Sequence, residues 1–218
     1  MEDVLELYEQ APDPMRPRVC FDEQPYQMLS DVREPLPLEP GEREDPEKPG
    51  KPWRYDYEYE RGGSCNLFIF FCPDAAWREV KVTPRRTAVD FAHCMKDLVD
   101  THFPEAEVIR VVMDNLNTHT PGSLYKAFAP EEARRILKRL EFHFTPKHGS
   151  WLNMAEIELS VMTGQCLDRR VPDQESVARE VAAWARERNA RASNVTWRFT
   201  SASARKKLQR LYPPPSER

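Results

Sequence analysis

A chain of 218 residues with 40% hydrophobic, 10% aromatic and 31% charged side chains is long enough for one substantial domain and too rich in core-forming residues to be disordered throughout. It has no apolar run of about 18 residues, and its acidic Met1-Glu2-Asp3-Val4 start lacks the basic flank and apolar stretch of a leader, so no membrane span is expected and the cytoplasm is the expected location. The net charge of −4 does not exclude a nucleic-acid partner, because residues 1–60 carry 17 acidic and 7 basic side chains whereas residues 61–218 carry 19 and 25.

In chain order, residues 1–15 read as an N-terminal tail. Arg18 to Glu23 then predicts a strand, with Val19 and Phe21 on one face, Cys20 and Asp22 on the other, and Glu23 opposite Asp22. Six prolines among charged residues from Arg33 to Pro52 forbid a helix or a central strand and predict an extended excursion. Arg54 to Glu60 alternates as a strand would, Gly62-Gly63 suits a turn, and Asn66 to Phe71 is apolar on both faces. With Arg78 to Thr83 alternating again, these stretches predict an antiparallel meander of three strands.

Thr87 to His102 predicts a helix with Phe91, Met95, Leu98 and Val99 on one stripe. Val108 to Met113 is a buried strand that ends at Asp114, and Pro130-Glu131-Glu132 opens a helix with the residues a helix N-terminus favours. Phe142 and Phe144 mark a short strand, and Leu152 to Met162 a helix. Asp173 caps a further helix with Val177, Val181 and Trp184 facing inward. A last helix from about Ser201 stops at Pro213-Pro214-Pro215. The fold class is therefore α/β with a mixed sheet.

Three acids stand where a strand end or helix presents them: Asp22, Asp114 and Glu156. Carboxylates at the ends of neighbouring strands share a crevice outside the sheet, and hard oxygen donors of this kind suit Mg²⁺. Each also has a plainer reading as a turn or cap residue. Glu158 competes with Glu156, but two helical residues are about 200° apart, so one alone faces the crevice. Glu156 shares a stripe with Leu152 and Leu159, which predicts a buried acid. The five cysteines form no C-x-x-C pair, which argues against a disulfide framework or a zinc ribbon and for ordinary buried thiols.

The stretch Pro146-Lys-His-Gly-Ser-Trp-Leu-Asn-Met-Ala-Glu-Ile-Glu-Leu-Ser160 resembles the third-acid signature of DDE-superfamily transposases, in particular the mariner-like bacterial insertion-sequence 630 family. Met113-Asp-Asn-Leu-Asn-Thr-His119 resembles that family's second-acid motif, and Val19-Cys-Phe-Asp-Glu-Gln24 its first. Asn66 to Phe71, Trp77 to Thr83 and Trp197-Arg-Phe-Thr200 also read like family segments, so the resemblance runs from about residue 16 to 212.

The resemblance implies an RNase H-like mixed sheet flanked by helices, with the catalytic domain over 16–170, the Pro-rich excursion at 33–52, and C-terminal helices over 171–218 packed on the same domain. Its signature places the acid after Leu-Asn-x-x, which selects Glu156 over Glu158. The implied metal ligands are Asp22, Asp114 and Glu156, holding two Mg²⁺ ions with Mn²⁺ as a substitute. Asn115, Asn117, His119, His148 and Trp151 belong to the motifs as supporting hydrogen-bond partners, DNA contacts or packing residues. The implied activity is phosphodiester cleavage at transposon ends and strand transfer into target DNA, at a TA dinucleotide, by a homo-oligomer. The family's N-terminal helix-turn-helix region is expected to be missing, its DNA recognition coming from a separate chain. The alternatives are a standalone RNase H-like nuclease and a catalytically silent regulatory fragment.

Overall fold

The computed structural model describes residues 1–40 and 50–212. Its strands are β1 Arg18–Asp31, β2 Tyr59–Cys72, β3 Trp77–Thr83, β4 Ile109–Met113 and β5 Leu140–Phe144. They form one mixed sheet in the order β3-β2-β1-β4-β5. The first three strands make an antiparallel meander, while β4 lies parallel to both β1 and β5. The helices are α1 Glu2–Glu9, α2 Ala88–Asp97, α3 Gly122–Ala127, α4 Pro130–Leu137, α5 Met154–Met162, α6 Gln174–Ala190 and α7 Ser201–Lys207.

Alternation along the strands divides the interior into two cores. Val19 and Phe21 of β1 join Phe68 and Phe70 of β2 under Phe91 and Met95 of α2. Cys20, Ile69 and Phe71 point the other way, against Leu159 and Met162 of α5 and Val177 and Val181 of α6. The strand β2 is apolar on both faces because helices cover both sides of it, and each large side chain fully buried there stabilises the fold by about 1.5–3 kcal/mol. This is the expected RNase H-like mixed sheet with helices on either side.

Several local expectations change. Residues 2–9 are no loose tail: Val4, Leu5 and Leu7 of α1 are buried in the core. Their spacing is helical, but the acids between them hide the stripe in so short a segment. Gly62 and Gly63 are not a turn. They lie inside β2, two residues facing the single Met28 where the β1–β2 register shifts between Gln27 and Leu29. Gly63 takes φ +89°, and a Cβ on Gly62 would come within 2.4 Å of the Pro172 carbonyl oxygen, so this bulge requires glycine.

The strand expected over 54–60 starts only at Tyr59. Before it, Leu36 pairs with Arg54 and Glu39 with Lys51 in isolated antiparallel bridges, so the excursion has two extended arms. Tyr55 and Tyr57 alternate with acids but are exposed, because no second layer covers them. The part of the Pro-rich excursion over 41–49, and Pro213-Pro214-Pro215, lie outside the described residues.

Thr87 caps α2 with a reciprocal Thr87–Asp90 capping box, and Asp173 caps α6 through the Ser176 amide. Among the described residues no helix is long and apolar enough to cross a membrane. All five cysteines are free and buried; burial pushes the Cys20 thiol up to about 12 and the Cys72 thiol to about 11, as inert core thiols require.

Candidate active site

The strand β1 does not end at Asp22. It continues to Asp31 because its antiparallel partner β2 stays paired with it as far as Asp31 opposite Tyr59. Its parallel partner β4 stops earlier. The pairing runs from Arg18 beside Arg110 to Cys20 beside Val112, so two further residues along each strand bring Asp22 level with Asp114. Adjacent strands lie about 4.8 Å apart, which puts both aspartates at the mouth of the sheet where β4 gives out. Asp22 is buried and Asp114 partly exposed.

Asn153 joins the third acid to this pair. A 3₁₀ turn over Ser150–Leu152 leads into α5, and Asn153 caps that helix by accepting a hydrogen bond from the Ala155 amide at 3.2 Å. The same fully buried side chain donates from Nδ2 to the Phe21 carbonyl oxygen at 2.8 Å and lies 3.3 Å from Asp22 Oδ2. The start of α5 is thereby tied to β1 beside Asp22, and Glu156 sits in its first turn. The tight approach before α5 depends on Gly149, whose Cβ would fall 2.6 Å from Pro146 Cγ.

Glu156 is exposed, not buried as its place beside Leu152 and Leu159 suggests. The face of α5 that enters the core carries Ala155, Glu158, Leu159 and Met162, about 100° round the helix from Glu156. The acid that is buried is Glu158. Arg78 Nε faces its Oε2 at 3.0 Å and Arg188 Nη2 its Oε1 at 2.9 Å. Arg78 is itself sealed, with its guanidinium over the Phe71 ring and its backbone and side chain clasped by Asn189 of α6.

The other motif residues divide. His119 is buried and places Nδ1 2.7 Å from Asp114 Oδ1 and Nε2 2.9 Å from Oε2 of Glu23. Asn115, Asn117, His148 and Trp151 are exposed, His148 at φ 62°. A cleft of about 470 Å³ is lined by Asp114, Asn115, Lys147 and His148. A second, of about 450 Å³, lies between Trp151 and Glu156. The Trp151 ring rests along Trp197 at 6.5 Å between centroids and meets the Phe199 edge at 5.6 Å. Asn153 and Glu23 were not singled out from the sequence. An asparagine one residue ahead of the helix was a readable cap signal for the first, while the burial of the second is visible only in three dimensions.

Electrostatically the site is short of cations. Burial first, and then the carboxylates of Glu156, Glu23 and Asp114, push the Asp22 pKa up to about 7, against a lowering by the Glu23 amide that donates to it at 2.8 Å. Asp114 is held below its usual range by the His119 hydrogen bond. Burial of the His119 ring works against its charge, but the hydrogen bond to Asp114 and the Glu23 carboxylate beside Nε2 prevail and hold its pKa up at about 9. A buried carboxylate repelled by its neighbours is a chemistry that a hard divalent cation relieves, and Asp22, Asp114 and Glu156 supply the oxygen donors such an ion takes. Among the described residues no three His, Cys, Asp or Glu side chains stand close enough to grip one ion as they are.

Comparison with known proteins gives a family match and a likeness in fold. A family model described as DDE superfamily endonuclease matches residues 17–178. A crystal structure of the Mos1 strand transfer complex is similar in fold, with a TM-score of 0.54 at 16% sequence identity over 87% of this chain and 53% of that one. The chain thus spans about half the length of that protein's chain. No curated protein sequence matches.

Proposed function

The chain belongs to the DDE superfamily of endonucleases, and from that premise we propose that it is the catalytic domain of a cut-and-paste DNA transposase, with Asp22, Asp114 and Glu156 as its metal ligands. The observation that carries the assignment is the Asn153 side chain, which caps α5 and donates to the Phe21 carbonyl oxygen, so that the turn bearing Glu156 is held beside the buried Asp22, level with Asp114. Structural carboxylates are given cations; this cluster is left without enough of them.

Two Mg²⁺ ions, or Mn²⁺ in their place, would supply Lewis-acid polarisation of the phosphodiester and lower the pKa of an attacking water. The protein's own part is positional. Asp22 and Asp114 present oxygens from adjacent strands, and the Asn153 cap holds the first turn of α5, with Glu156, against them. His119 takes one oxygen of Asp114. The acids act as ligands, so none of them has to carry the reaction's proton. Asn115, Asn117, His148 and Trp151, exposed beside the two clefts, contact the DNA strand. Trp151 has the exposed ring that an unpaired base can stack upon.

The substrates in this reading are transposon ends and a TA target, the second step is strand transfer, and the working form is a homo-oligomer. The test uses DNA with a pre-cleaved transposon end. Mg²⁺-dependent joining of its 3′-hydroxyl to target DNA, abolished by Asp22→Asn, Asp114→Asn or Glu156→Gln, is expected. Cleavage without joining would leave a simple nuclease. Joining unaffected by any one substitution would remove that residue from the site.

A further inference from the structure

Glu23 follows Asp22 in β1, and the strand's alternation turns its side chain to the opposite face, towards Phe91 and α2. Its carboxyl is only 4% exposed. A carboxylate so placed is costly unless something holds it there. Arg86 approaches Oε1 at 3.8 Å from a half-exposed position. The close partner is His119, with Nε2 2.9 Å from Oε2.

His119 is as well confined as a core phenylalanine. It is 1% exposed, its ring stands edge-on to Phe21 with centroids 5.5 Å apart and lies 5.0 Å from Phe91. On its other side Nδ1 meets Asp114 Oδ1 at 2.7 Å. Carboxylate oxygens only accept, so a ring with one at each nitrogen is satisfied when both nitrogens carry hydrogen. The Nε2 contact is close without being well aligned as a hydrogen bond, which makes charge, rather than direction, the link between Glu23 and the ring.

Asp114 needs such a support. It lies beyond the last residue of β4, in a segment with no helix or strand before Gly122, and apart from His119 its carboxylate is met only by the Leu116 amide at 3.3 Å. Both contacts fall on Oδ1. Among the described residues Oδ2 accepts no hydrogen bond and is left for the crevice.

We propose that Glu23 is a positioning residue that acts through His119: it holds the ring that takes Asp114 Oδ1, and so aims Oδ2 at the ion that Asp114 and Asp22 share. The inference rests on the metal-ligand reading above and adds to it a residue that touches neither ion nor DNA. Partners behind a metal-ligating side chain typically change metal affinity about 10- to 100-fold when altered.

A purely structural Glu23–His119 pair, pinning β1 to the segment after β4, would change stability and leave metal affinity alone. The experiment therefore follows the rise in unfolding temperature as Mn²⁺ is titrated into the full chain without DNA, for the parent, for Glu23→Gln, and for the paired replacement Glu23→Met with His119→Phe. The paired form substitutes apolar groups of similar volume for both partners, a change that commonly leaves stability level or raises it, so it tests the idea even if Glu23→Gln does not fold. The expected result is a Mn²⁺ midpoint about 10- to 100-fold higher in each folded variant. A midpoint within about twofold of the parent's in Glu23→Gln, or in the paired variant should Glu23→Gln not fold, overturns the role of Glu23 and leaves the metal reading standing. A parent that shows no response to Mn²⁺ overturns both.

Discussion

Glu158 and Glu156 lie two residues apart on α5 and meet opposite treatment. Glu158 points into the core, sealed between Arg78 and Arg188. Glu156 faces outwards, paired with no basic side chain among the described residues, and adds its charge to that of Asp22. Desolvation is costly for Glu158 alone, since Glu156 stays in water. The chain offsets the cost for Glu158 with two guanidinium groups and leaves the charge of Glu156 to repel that of Asp22. One helix thus carries an acid sealed between two guanidinium groups and an acid left in water.

The sharpest way to break this comparison is to neutralise each acid in turn. Asp22→Asn should eliminate Mg²⁺-dependent DNA cleavage, because amides are poor ligands for the ion, while the metal-free unfolding temperature stays level or rises as repulsion is relieved. A marked fall in that temperature would mean that Asp22 is structural after all. Glu158→Gln should do the reverse. Leaving Arg78 buried without its counter-charge costs about 3–5 kcal/mol, readable as a shift in the denaturant midpoint. If that variant unfolds no more easily than the parent, the Arg78 pair contributes nothing.

A pH series sharpens the same contrast. A folded pKa of about 7 for Asp22, against an ordinary 3.8, means that the folded chain binds the extra proton, so this group's contribution lowers stability as pH rises from about 4 to about 7. The metal-free parent should therefore lose stability relative to Asp22→Asn across that window, by a few kcal/mol at most. Parallel stability curves would contradict the repelled state of Asp22. The smallest effect is expected from Glu156→Gln: cleavage lost, but stability within about 0.5 kcal/mol of the parent, as for other exposed substitutions.

What could be read from the sequence follows the range of the interactions involved. The alternation of Val19 and Phe21 against Cys20 and Asp22, and the inward face of α6, are set by local periodicity and survive in the structure. The stretches around the three acids carry their own residue patterns, which is why they could be found at all. Where the outcome depended on distant partners, the sequence was silent or misleading. Glu158 was an acid like its neighbour until Arg78, eighty residues earlier, was brought against it. Glu23 gained meaning only from His119. Gly62-Gly63 looked like a turn because nothing local announces that Pro172 presses on that strand. The expected burial of Glu156 failed for a similar reason, since a helical stripe says which residues share a face but not which face the rest of the molecule will cover.

The clasp between Arg78 and Asn189 separates inheritance from folding. The family match stops at residue 178, four residues after the first residue of α6, yet the groups that receive Arg78 and Glu158 are the side chains of Arg188 and Asn189 and the Ser193 backbone carbonyl beyond it. A chain cut at that border would keep all three crevice acids and lose the far half of a buried charge network, with an arginine and a glutamate left facing water inside what had been a sealed layer. The stretch that the family model covers is thus shorter than the stretch that must fold together. Anyone transplanting this nuclease crevice into another protein would have to carry α6 to its end.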